Sequence, residues 1–225
     1  MTLWIDRFIN LCKWPTAFFA ICLLPFLFET LPKIFLQTIH VDFLPFWGGL
    51  VGYFLLWRLF FRYSGSFLPT LEHELTHVIF AIGTGHRIVD FKVRWNSGGH
   101  VAYTGGVGNW LITISPYIFP LLLLLALPSV LMWVAEPELR GGLLGVIFAF
   151  ELISTWRQIH TKQPDLIKVG CFFCFLFLPP ALLTVYGSVL YFLITDISSL
   201  LVWYREGIYS IYELLVEVKN GYYSH

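Results

Sequence analysis

The sequence predicts an all-α polytopic membrane protein of about six membrane helices, with a small β-hairpin next to one short, charge-bearing helix. Three observations carry this. The 225 residues are 57% hydrophobic and only 12% charged, a balance of membrane proteins rather than soluble enzymes. The apolar residues fall into runs of spanning length, with Trp and Tyr gathered near the run ends as at a membrane interface. One stretch, Thr70-Leu71-Glu72-His73-Glu74-Leu75-Thr76-His77-Val78, interrupts that pattern with ionisable side chains. The formal net charge is zero, so no basic face points to nucleic acid.

Taken in order, residues 1–13 are short and mixed, with Asp6, Arg7 and Lys13, and read as an interfacial helix. Residues 14–31 form a first span despite Pro25 and Glu29. No small-residue cleavage site follows, so the run reads as an uncleaved anchor. Residues 43–61 form a second span, closed by Arg58 and Arg62, whose stems snorkel to the interface. The charge-bearing helix covers residues 66–82. Ser66 is its expected N-cap, Pro69 fits the first turn, and Gly83 and Gly85 end it. At 1.5 Å per residue it is only about 25 Å long, so its ionisable groups are expected to face protein or a wet cavity rather than lipid.

The period then changes from helical to alternating. Val89-Asp90-Phe91-Lys92-Val93-Arg94-Trp95 reads as a half-buried strand, Asn96-Ser97-Gly98-Gly99 as a turn, and His100-Val101-Ala102-Tyr103-Thr104 as the return strand. Such a hairpin either caps the bundle or offers an edge to an extended substrate. Residues 110–133 are a span interrupted by Pro116 and Pro120, and 135–140 a polar turn. Residues 141–156 are a further span containing Glu151, and 157–165 are polar. Residues 166–195 are a long apolar run expected to kink at Pro179-Pro180. Residues 196–225 read as a second interfacial helix with Trp203, Tyr204, Tyr209 and Tyr212 at the belt. We expect a single integral membrane domain over 1–225, with a core at about 66–185, N-terminal helices at 14–61 and the C-terminal interfacial helix at about 196–220. Cys12, Cys22, Cys171 and Cys174 read as thiols packed in or against the bilayer; one Cys-x-x-Cys pair without a second does not make a metal site.

The chemistry lies in His73-Glu74-x-x-His77. On a helix the two imidazoles stand one turn apart on one face and can grip one metal ion. Glu74 beside them is placed to act as a general base. With seven His and nine Glu, chance would produce only ~0.01 such matches. The bland alternative, a polar cluster tying helices together, is a costly use of ionisable groups in an apolar segment. A catalytic zinc centre takes a third protein ligand and leaves a position open. The candidates are Asp165, His160, His100 and Glu151. After His77, two spans return the chain to the same membrane side at 157–165, which favours Asp165, with His160 second. Glu151 lies deeper and reads as a supporting or merely satisfied polar group. As a non-ligand, Asp165 would be the N-cap of the helix that follows it.

The His73-Glu74-Leu75-Thr76-His77 helix, the hairpin, the Pro-broken span and the late Asp together resemble the site-2-protease class of intramembrane zinc metalloproteases, most closely its short bacterial branch without a PDZ insert. The resemblance covers about residues 66–185. It implies Zn2+ held by His73, His77 and Asp165, Glu74 as catalytic base, and 109–116 as the polar, Pro-containing start of the helix after the hairpin. The Asn-Pro…Leu-Asp-Gly element of better-known members is absent; Asp165 sits instead in Gln163-Pro164-Asp165-Leu166. The implied activity is hydrolysis of peptide bonds in single-span membrane proteins whose helix locally unwinds. A di-iron membrane hydroxylase would need more His-rich boxes, and a metal transporter polar residues along several spans. A catalytically silent membrane chaperone or scaffold with a relict motif is the other alternative, against which Glu74 is intact. The expected place is a multi-pass position in a bacterial cell membrane. Lys33, Arg87, Lys92, Arg94, Arg157, Lys162 and Lys168 on the active-site side, against Arg7, Lys13, Arg58, Arg62 and Arg140 on the other, put that site toward the cytoplasm.

Overall fold

The computed structural model describes residues 2–40, 43–61, 67–95, 98–160 and 162–223. The helices are α1 (Thr2–Leu11), α2 (Lys13–Cys22), α3 (Leu24–Gln37), α4 (Leu44–Leu56), α5 (Phe67–Gly83), α6 (Trp110–Ile114), α7 (Leu121–Trp133), α8 (Pro137–Gln158), α9 (Pro164–Val169), α10 (Cys171–Ile194) and α11 (Ile197–Tyr223). A wider π-turn, Trp57–Phe61, extends α4, and a 3-10 turn, Ser115–Tyr117, extends α6. Strands β1 (Arg87–Arg94) and β2 (Gly98–Thr104) form one antiparallel pair. Two described helices, α8 and α10, are long and apolar enough to cross a bilayer. The number rises to four if the bent pairs Lys13–Cys22 with Leu24–Gln37 and Trp110–Tyr117 with Leu121–Trp133 each count as one span. The expected roles of Ser66, Arg62 and the Asn96-Ser97 turn lie outside the described residues.

The contacts divide the chain into two compact units, Met1–Leu11 with His40–Cys171, and Cys12–Ile39 with Phe172–His225. In the first, α4 and α8 meet backbone to backbone. A Cβ on Gly49 would collide with the Gly142 carbonyl, and one on Gly145 with the Phe46 carbonyl. Without a hydrophobic drive inside lipid, small residues permit the close approach that binds helices by dispersion. Helix α5 ends as its glycines predict. His86 N–H donates to Ala81 O and Gly85 N–H to Ile82 O, both at 2.9 Å. Gly85 has φ +84°, so the stop is a Schellman motif. The turn aims the chain into β1, and Trp95 at the far end of β1 stacks on Phe67 at 4.9 Å.

The hairpin differs from expectation in detail. The strict alternation read over 89–95 is broken by a bulge at Val89, because Ile88 pairs with Tyr103 and Asp90 with Ala102. Along the strand Ile88, Asp90 and Val93 are half-buried, whereas Val89 and Phe91 are exposed. The run at 166–195 also divides. It breaks at Gly170, with φ +106°, and α10 then passes Pro179 and Pro180 as one helix. In the second unit, Phe26, Leu27, Ile34 and Trp203 form an apolar core, with Leu31, Leu183, Leu190 and Tyr191 packed against it. Asp196 caps α11, its Oδ1 accepting from Ser199 N–H at 2.7 Å.

Candidate metal centre

Helix α5 puts His73, Glu74, His77 and Ala81 on its buried face, the spacing of a 3.6-residue period. His73 Nε2 and His77 Nε2 lie 3.2 Å apart. Asp165 Oδ2, from the first turn of α9, lies 3.3 Å from each. These three residues are the group of potential metal donors that converge on one point among the described residues. Asp165 is not the N-cap of its helix: Gln163 holds that position, without a side-chain cap. Its carboxylate turns inward and accepts from the Tyr117 hydroxyl at 3.2 Å. Asp165 thus presents a carboxylate oxygen to the two imidazoles.

Both imidazoles are oriented from behind. His77 Nδ1–H donates to the Ile112 carbonyl at 2.7 Å. That carbonyl receives no main-chain donor from the residue four positions on, Pro116, which has no N–H, and is shared with the Ser115 hydroxyl, which donates to it at 3.0 Å. His73 Nδ1–H donates to Gln158 Oε1. The Gln158 amide is set by its Nε2, which donates to Ser154 Oγ at 3.1 Å. An acceptor at each Nδ1 leaves each Nε2 a lone pair, and the two lone pairs face Asp165 Oδ2. A tetrahedral zinc ion with arms of ~2.0–2.1 Å holds its ligand atoms roughly 3.3 Å apart. The three observed edges match that spacing, so two neutral imidazoles and one carboxylate fit a zinc ion in charge, donor type and size.

Glu74 faces the same space and feels His73, His77, Asp165 and His100 electrostatically. Strand β2 lies against it so closely that a Cβ on Gly99 would strike the Glu74 carboxyl. The cavity over these groups measures about 590 Å³ and runs between β2 and the ends of α8 and α9, where Arg157 and Lys168 line it. Of the other third-ligand candidates, His100 lines the cavity. His160 is exposed between α8 and α9. Glu151 is 2% exposed, and its Oε1 accepts from Leu123 N–H at 2.8 Å, while Glu72 Oε1 accepts from Leu122 N–H at 2.9 Å. These carboxyls satisfy the first free N–H groups of α7 just after Pro120. Sequence reasoning missed Gln158, Tyr117, the Ile112 carbonyl and Gly99. Only Pro116, four residues past Ile112, carried a readable signal.

An apolar helical chain that aims such donors at one point, with a carboxylate beside them, has the parts of a membrane metal-dependent hydrolase. The model of the Peptidase M50B-like family matches residues 47–217. The chain belongs to this family, the site-2-protease family, and is a membrane metalloprotease. No curated protein and no solved structure matches it.

Proposed function

We propose that this protein is a zinc-dependent intramembrane endopeptidase that cuts single-span membrane proteins. The observation that carries the reading is the triangle of His73 Nε2, His77 Nε2 and Asp165 Oδ2, with both Nδ1 atoms already engaged. These three residues would hold the ion, which supplies a Lewis acid for the scissile carbonyl and acidifies water. Glu74 takes the proton from the attacking water on its carboxylate and passes it to the leaving amine. A helical peptide carbonyl is already hydrogen-bonded, so the substrate segment must unwind before it reaches Glu74. Once extended, it can pair along β2, whose Gly98, Gly99 and His100 line the cavity. The same donor set also suits non-haem iron; Glu74 beside the donors and membership of a peptidase family favour zinc and hydrolysis.

The shorter apolar stretch Leu44–Phe60 and helix α5, added to the four spans counted above, make six membrane-embedded segments, which we take to act as one integral domain. The multi-pass chain would sit in a bacterial cell membrane with the cavity toward the cytoplasm, as the distribution of Lys and Arg suggests. The test is Glu74→Gln, which keeps size and hydrogen bonding but accepts no proton. Cleavage of a panel of single-span reporters co-expressed with the protein should fall to near zero while the zinc content of purified protein is unchanged. Turnover near the wild-type rate would sink the assignment. Iron rather than zinc in the purified protein would favour a different metal enzyme.

A further inference from the structure

Helix α1 faces the protein with its polar side. Asp6 has no exposed surface, whereas Trp4 and Phe8 on the same helix are 74% and 67% exposed. Asn10 Nδ2 donates to Gly108 O, and Asn10 Oδ1 accepts from Trp110 N–H, each at 3.1 Å. Trp110 Nε1 donates to Ile9 O at 2.6 Å. Asp6 is the centre of this clasp. Its Oδ1 accepts from Asn109 Nδ2 at 2.7 Å and its Oδ2 from Gly108 N–H at 3.0 Å, with His86 Nε2 at 3.2 Å. His86 Nδ1 in turn lies 3.1 Å from Thr84 Oγ1. The fit leaves no slack, since a Cβ on Gly106 would strike Asp6 Oδ2.

The clasped residue Asn109 leads to the metal centre. Its Oδ1 accepts from Ile112 N–H at 3.1 Å as the N-cap of α6. The Ile112 carbonyl receives His77 Nδ1–H. Helix α6 has only five residues before the Ser115–Tyr117 turn, too few to hold its own geometry, so the backbone at Ile112 is set by Asn109 on its N–H and by Ser115 Oγ, at 3.0 Å, on its carbonyl. The Asn109 amide is oriented by its second bond, to Asp6. We propose that Asp6 is a positioning residue for the metal centre, acting through Asn109 and the Ile112 peptide to orient the His77 imidazole. The proposal rests on His77 being a metal ligand.

Two variants separate this role from mere stability. Asp6→Leu removes the acceptor. Asn109→Ser keeps an oxygen to cap Ile112 N–H but has no amide to donate to Asp6. Both should bind zinc roughly ten-fold more weakly in competition with a chromophoric chelator, the lower end of what outer-shell partners of a ligating His contribute. Both should also shift the visible absorption of the Co2+-loaded protein. Asp6→Asn retains an oxygen for Asn109 and should recover most of the affinity and the wild-type spectrum. A stabilising role alone would lower the melting temperature of Asp6→Leu and leave the Co2+ spectrum of the folded fraction as in wild type, which overturns the proposal. If Asp6→Leu does not fold, Asn109→Ser decides: wild-type zinc affinity and spectrum there overturn it equally. His77→Ala serves as the control. Zinc uptake that does not change in His77→Ala defeats the ligand reading itself, whereas a loss there with no effect in Asn109→Ser defeats this inference alone.

Discussion

Among the described residues, every buried carboxylate and imidazole lies in the unit that carries the candidate metal centre: Asp6, His73, Glu74, His77, His86 and Glu151. The other unit buries hydroxyls, Thr38 and Ser188, and each donates to a carbonyl of its own helix. The rest of its buried side chains are apolar, aromatic or thiol, among them Phe26, Leu27, Ile34, Phe173, Cys174 and Trp203, whose Nε1 is buried without a partner. An unpartnered polar group in such surroundings costs about 2–7 kcal/mol and an unpaired charge far more. The first unit therefore needs a specific partner for each ionisable group, and its helices are placed by those partnerships as much as by shape. The second unit buries no carboxylate or imidazole among the described residues; its polar demands are few, such as the Ser188–Tyr204 hydroxyl pair at 2.5 Å, and shape carries more of its packing. Substitutions should accordingly act on metal and turnover in one unit and on stability in the other.

The largest effect is expected at Asp165. Asp165→Ser removes the anionic oxygen that sits 3.3 Å from both imidazoles. Since Gln163 rather than Asp165 holds the cap position, a serine has no cap to restore. Zinc per protein, measured by elemental analysis, should fall well below one, and cleavage with it. Zinc kept in Asp165→Ser but lost in His160→Ala would transfer the role to His160 and break the comparison at its centre.

A smaller effect is expected at Gln158. Gln158→Leu leaves His73 Nδ1–H without its acceptor, and zinc affinity by chelator competition should drop roughly 10–100-fold. Gln158→Glu keeps an acceptor oxygen and should stay within a few-fold of wild type by the same reasoning. If leucine binds zinc as tightly as glutamine, the orienting bond to His73 has no functional weight.

The smallest effect on chemistry belongs to the second unit. Leu27→Ala opens a cavity in its core, where Leu27 is fully buried. Stability should fall by about 2–5 kcal/mol, read by denaturant or thermal unfolding, with zinc affinity and turnover per folded molecule unchanged. Loss of zinc in folded Leu27→Ala would mean that the two units do not divide their work as their interiors suggest.

The class of protein was legible from composition, the motif helix from three residues and their spacing, and its end from Gly83 and Gly85. The meeting of Asp165 with the two imidazoles followed from counting crossings. Each of these depends on local period or on the coarse path of the chain, which residue types encode directly. Other features needed the folded chain. The bulge at Val89 breaks the alternation read from sequence, and bulges arise from pairing with a partner strand. Asp165 looks like a cap by type and position, and only the placement of α9 turns it inward. The contact of Gly49 with Gly142 depends on which two helices lie side by side. The acceptors that orient His73 and His77 are one side-chain amide and one main-chain carbonyl. A carbonyl is carried by every residue, so its identity as a partner comes from which one lies within hydrogen-bond reach and has a lone pair to spare. Sequence determined what chemistry this protein holds; tertiary packing decided which atoms aim it, because hydrogen-bond partners are chosen by distance in space rather than by distance along the chain.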